Sequence, residues 1–171
     1  GLTKVGNQTL FLLTPSTYTG ATNVNGGTLQ IDHNTLTNTS GINVGVAGNL
    51  SVNVTSGSAT FTRSLSGPGS LTKVGAGTLV INTSSGWVSG AINVRAGSLE
   101  FNPGTLAAIT GGILNVDRGG SFVINTPTDL TWAGNLVGAG TVTKIGAGTL
   151  TVVGGINMAD AAVGAGLLDI Q

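Results

Sequence analysis

The 171-residue chain has no cysteine, which excludes a disulfide framework, a thiolate nucleophile and any cysteine-ligated metal. His33 is its single histidine, so a zinc site or a histidine-dependent triad would have to rest on one imidazole. Charge is scarce. Six Lys and Arg balance six Asp and Glu, for a formal net charge of zero, and no basic face is available to recruit nucleic acid or anionic lipid. Glu100 is the one glutamate, so the long polar side chains that favour helices are almost missing. No apolar run reaches the roughly 20 residues of a membrane-spanning helix. The first ten residues lack the charged start and apolar stretch of a signal peptide, so export would use a signal outside the segment.

What remains is rich in glycine, 30 residues, which with Thr, Asn and Ser fills nearly half the chain. Such a composition accompanies disorder when apolar residues are few, but here hydrophobic residues make up 40% and recur on a fixed pattern. Ser70-Leu71-Thr72-Lys73-Val74-Gly75-Ala76-Gly77-Thr78-Leu79 returns as Thr141-Val142-Thr143-Lys144-Ile145-Gly146-Ala147-Gly148-Thr149-Leu150, and the chain opens on Leu2-Thr3-Lys4-Val5-Gly6. Phe61 matches Trp132 and Tyr18 matches Trp87 at the same period. These define units of about 1–68, 69–139 and an incomplete 140–171, all within one domain.

A finer repeat runs inside the large one: Val or Ile, a short glycine-containing turn, then Leu-x-apolar. It starts at Val5, Val24, Val44, Val74, Val94, Val116, Ile145 and Val163, in steps of 19, 20, 30, 20, 22, 29 and 18 residues. Each unit thus reads as three coils, two short and one long. Alternation in Leu10-Phe11-Leu12, Leu29-Gln30-Ile31, Leu79-Val80-Ile81 and Leu99-Glu100-Phe101 points to short strands with one buried face. Strands this short close a core only by stacking coil on coil. The expected fold is all-β, a right-handed parallel β-helix of about eight coils. A sandwich would need hairpin turns, and Asn25-Gly26 is the only Asn-Gly or Asp-Gly pair. A propeller would need blades of about 40–45 residues. Gly27, Gly77, Gly97, Gly148 and Gly166, each two residues before a leucine, are expected at equivalent corners, several with positive φ. The eight Val and Ile starts are expected in one buried column, and Leu10, Leu29, Leu50, Leu79, Leu99, Phe122, Leu150 and Leu168 in another.

The motif Leu-Thr-Lys-x-Gly-x-Gly-Thr-Leu, followed by Ser/Thr-Tyr-x-Gly-x-Thr-x-Val-x-x-Gly-x-Leu, resembles the passenger-associated repeats of Gram-negative autotransporters. The resemblance covers Leu2 to Ile31, Gly69 to Phe101 and Gly140 to Ile170, just over half the chain. The first unit departs with Gly6-Asn7-Gln8, and the last lacks the Tyr or Trp. The resemblance implies a secreted, cell-surface passenger delivered through the outer membrane by a C-terminal barrel outside this segment.

Chemistry is thin. Asp32, Glu100, Asp117, Asp129, Asp160 and Asp169 are scattered, whereas acid–base catalysis, as in pectin-cleaving β-helices, needs two acids converging. His33 reads as a surface loop. Gly75-Ala76-Gly77-Thr78 precedes a strand, not the helix that a phosphate loop requires. Asp117-Arg118-Gly119-Gly120 has no acidic counterpart at Gly45, against calcium. The Thr-x-Thr pairs fall at different phases, against an ice-binding array. Lys4, Lys73 and Lys144 read as solubility and edge-protecting charges rather than ligand contacts. Tyr18, Trp87 and Trp132 are either core and loop anchors or a sugar-stacking surface. No enzyme activity, cofactor or metal is expected. The leading function is a structural spacer in a surface adhesin, and the alternative is a lateral face for self-association or glycan contact. The expected partners are neighbouring coils of a longer chain, with neither nucleic acid nor membrane insertion. The segment opens and stops part-way through a unit without polar caps, so an interior slice of a longer solenoid is expected.

Overall fold

The computed structural model describes the chain apart from residues 62, 83–87, 105–107, 110–111, 165 and 171; for 159–163 and 168 it describes the backbone alone. Every regular element among the described residues is a strand, and every strand pairing is parallel. Thr, Val and Ile fit the pleat, and the absence of long polar residues leaves nothing to favour helix. The result is a parallel β-solenoid of about eight turns.

Each turn has three sides. On the second side Leu10 lies beside Leu29, followed by Leu50, Leu71, Ile92, Leu114, Leu136 and Ile156. Partners in this row are 19 to 22 residues apart, which is the length of one turn. The third side stacks Ala59, Leu79, Leu99, Phe122 and Val142. The first side stacks Leu2, Thr22, Ile42 and Leu65, and resumes as a four-stranded sheet carrying Ile109, Trp132, Val152 and Ile170. Alternation sorts inside from outside. Leu29, Ile31, Leu79, Ile81, Leu99 and Phe101 are buried, while Gln30, Val80 and Glu100 between them are half-exposed. The inward rows of all three sides meet in one continuous core.

The sequence units and the turns do not keep step. Lys4 lies on the first side beside Val24; Lys73 lies on the second, between Val52 and Val94; Lys144 lies on the third, between Ile124 and Val163. One unit therefore makes three turns plus one extra side, and equivalent residues rotate by about a third of a turn from unit to unit. The long steps of 30 and 29 residues are one turn plus that extra side.

This corrects the expected columns. Val24 and Val44 share the first side, Val94 and Val116 the second, and Val163 pairs on the third. Val5, Val74 and Ile145 belong to no buried column. Each follows a lysine by one residue and so points the other way; Val5 is 66% exposed, and Val74 and Ile145 are half-buried. The leucine column divides likewise, with Leu10, Leu29 and Leu50 on the second side, Leu79, Leu99 and Phe122 on the third, and Leu150 and Leu168 on the first.

Candidate functional site

The most heavily built polar feature of the molecule is the repeated lysine, and it is internal. Lys4, Lys73 and Lys144 are 7%, 0% and 1% exposed. They are not the surface charges that the sequence reading made them. In Leu-Thr-Lys the lysine is two residues from an inward apolar residue, so strand alternation turns it inward as well. Its stem takes a place in an apolar row, and its ammonium reaches the corner at the end of the strand.

That corner supplies acceptors. Lys4 Nζ donates to the carbonyls of Val5 and Gly6, both at 2.8 Å, and to Gly26 of the next turn at 2.9 Å. Lys73 Nζ donates to Val74 and Gly75 at 2.8 Å and to Ala96 of the next turn at 3.3 Å. Lys144 Nζ donates to Ile145 at 3.2 Å and Gly146 at 2.8 Å. Gly6, Gly75 and Gly146 have φ of 74°, 82° and 86°, a left-handed bend that directs two successive carbonyls at one ammonium. The three ammonium protons match three carbonyls, so the buried charge is fully hydrogen-bonded at Lys4 and Lys73. Because the third acceptor belongs to the following turn, the Lys4 and Lys73 cages each tie two turns together.

Burial pushes the Lys73 ammonium down to about 8 from its ordinary 10.5. Burial also lowers Lys144, opposed by the charge of Asp129. Below pH 8 both folded and unfolded states hold the Lys73 proton, so that group adds no pH dependence. Between about 8 and 10.5 the unfolded chain keeps a proton that the folded chain has released, so stability rises with pH. The expected gain from pH 8 to 10 is roughly 2–3 kcal/mol at about 1.4 kcal/mol per unit. Urea unfolding at the two pH values checks it, and Lys73→Met should remove that part of the slope.

The five corner glycines fall into two kinds. Gly27, Gly97 and Gly166 have φ of 64°, 65° and 76°, and lie in the turn after a lysine. A Cβ on them would stand 2.5, 2.4 and 2.4 Å from the carbonyl oxygens of Gly6, Gly77 and Gly146. They are the lids of the cages, and a side chain would push the two turns apart. Gly77 and Gly148 are not left-handed; a Cβ there would meet backbone of the previous turn at 2.8 and 2.2 Å.

The cage and its lid recur together along the chain. The family model described as passenger-associated-transport-repeat matches residues 2–31 and 71–101, which span the first two cages and lids. The chain is similar to the "Adhesin BmaC autotransporter" of Brucella suis biovar 1 (strain 1330), at 35% identity over 84% of this chain. These are autotransporter passenger repeats. The chain spans 5% of the length of that adhesin. No solved structure matches the chain.

The other candidates on these repeats disperse. Trp132 is 1% exposed and packs edge-on against Phe122, with ring centres 5.9 Å apart, so it is core and not sugar-stacking surface. Tyr18 is half-buried against the core, and its hydroxyl pairs with Thr22 Oγ1 at 2.9 Å; it anchors a loop. Trp87 lies outside the described residues. The acids are engaged one by one. Asp32 accepts from Asn53 at 2.9 Å, Glu100 from Asn102 at 3.2 Å, Asp117 from Asn115 at 3.2 Å, and Asp129 from the Thr149 amide at 2.7 Å. The equivalent outward residues Gln30, Glu100 and Asp169 sit on the second, third and first sides. Rotation thus separates positions that a linear reading would line up. Among the described residues no three of His, Asp and Glu gather as a metal site. Among the described residues, likewise, no helix is long and apolar enough to cross a membrane.

Proposed function

We propose that this segment is a load-carrying spacer in the shaft of a secreted bacterial surface adhesin, with no catalytic role of its own. The observation that carries this is the continuous core, with a buried lysine on each of the three sides and turn-to-turn ties at Lys4 and Lys73. A shaft clamped on one side alone would bend; rotation distributes the clamps around it. Asp32, Glu100, Asp117 and Asp129, each engaged separately, support a passive role. In a longer chain the strands Leu2–Lys4 and Leu167–Ile170 would continue the ladders of adjoining turns.

In-frame deletion of residues 69–139 from the full-length adhesin tests the spacer. Residues 69 and 140 are equivalent in the repeat, so the junction keeps its local sequence. Three turns and a third at about 4.8 Å each give a shaft shorter by roughly 16 Å. Adhesion per displayed molecule should stay within twofold. Loss of adhesion with normal surface display would replace the spacer by a lateral binding segment.

A further inference from the structure

Three of the six Lys and Arg residues are consumed by the cages, which leaves Arg63, Arg95, Arg118 and the imidazole of His33 as the basic side chains outside them. Two of these four share one cleft. His33, Leu36, Thr37, Thr60, Phe61 and Arg63 line an open hollow of about 100 Å³. It lies where the loop after Thr22–Asp32 passes beside the strand Ser58–Phe61. Leu36 and Phe61, 3% and 6% exposed, form an apolar floor continuous with the core. Thr37 and Thr60 are exposed at the walls. Arg63 Nη2 donates to the Thr37 carbonyl, which holds the guanidinium at the cleft and leaves its other N–H donors for a ligand.

The repeat itself does not require this arrangement. The equivalent of Phe61 is Trp132, also an aromatic core residue, but the equivalents of His33 and Arg63 are Pro103 and Gly134. The floor is therefore a property of the fold, and the arginine and the imidazole are a local addition to it.

We infer that this cleft binds a carboxylated sugar unit. The carboxylate sits against the Arg63 guanidinium, whose planar fork matches two carboxylate oxygens, with the His33 ring on the same rim. The apolar floor takes the ring edge, and the Thr37 and Thr60 hydroxyls reach the ring hydroxyls. A hollow of this volume holds the carboxylate and the adjoining ring edge and leaves the rest of the glycan in solvent, as an internal or terminal residue of a polysaccharide would be. The site does not depend on the spacer reading, because it occupies one turn of the shaft.

Titration of the full chain with glucuronate, galacturonate, galactose and inorganic phosphate, followed by amide NMR shifts, tests it. The uronates should bind in the millimolar range and move the resonances of residues 33–37 and 60–63, while galactose binds at least tenfold more weakly. Arg63→Gln and His33→Ala, both on the surface, should each weaken uronate binding fivefold or more while the amide spectrum elsewhere stays unchanged. Uronate binding that is absent, or unaffected by Arg63→Gln, would overturn the site. Galactose binding as tightly as the uronates would remove the role of the charge. Phosphate binding as tightly would overturn the sugar assignment.

Discussion

Replacing Lys73 with methionine should destabilise the chain by roughly 2–5 kcal/mol in urea unfolding, as loss of the donor to buried carbonyls does. Methionine nearly preserves the stem volume, so little of the loss comes from a cavity. The loss comes mainly from Gly75 and Ala96, whose carbonyls would lose this donor at the corner, while the Val74 carbonyl would keep the Val54 amide. Buried acceptors left unpaired cost about 1–3 kcal/mol each, and partial hydration of the corner brings the sum to the stated range. Lys73→Arg should fall between, because a planar guanidinium cannot present three protons to carbonyls arranged around one point. A loss below 1 kcal/mol for Lys73→Met would show that the corner rehydrates freely and that the ammonium is not a clamp.

The cage was legible in part. Leu71-Thr72-Lys73 alternates like any neighbouring strand, and alternation alone puts Lys73 on the same side as Leu71. Charge argued the other way, because a lysine is rarely buried without a partner. The partner here is backbone, and backbone acceptors have no signature in the side chains. What betrays them is the glycine two residues on, repeated as Gly6, Gly75 and Gly146 at the same distance from each lysine.

The solenoid, its strand positions and its turn length followed directly from periodicity. The rotation between units did not, although the numbers held it. Steps of 30 and 29 residues beside steps near 20 look like long coils, yet the extra length of one side has nowhere to go on a closed three-sided cross-section except into another side. A repeat in sequence fixes local geometry, while the side on which it lands depends on the whole count of residues per turn. That is why Gln30, Glu100 and Asp169, aligned in sequence, face three directions, and why a one-sided binding stripe built from unit-equivalent residues cannot form on this shaft.

Trp132→Ala carries the other large expected effect, a loss of roughly 3–5 kcal/mol, the range for truncating a buried large aromatic. Trp132 occupies the first side, between Ile109 and Val152 in its row, and leans edge-on against Phe122 of the preceding third side. It therefore fills the junction where two sides meet. Trp132→Phe should cost far less, about 1 kcal/mol, because it keeps most of the ring volume. It also removes the indole N–H, for which no acceptor is found among the described residues. The same position in the preceding unit is Phe61, 6% exposed, which shows that the repeat accepts a phenyl ring there. Urea unfolding of the two variants separates core from surface. A sugar-stacking tryptophan on the outside would lose glycan contact on substitution and leave stability within 0.5 kcal/mol. A buried one loses stability with alanine, keeps most of it with phenylalanine, and the order Trp, Phe, Ala is the expected ranking.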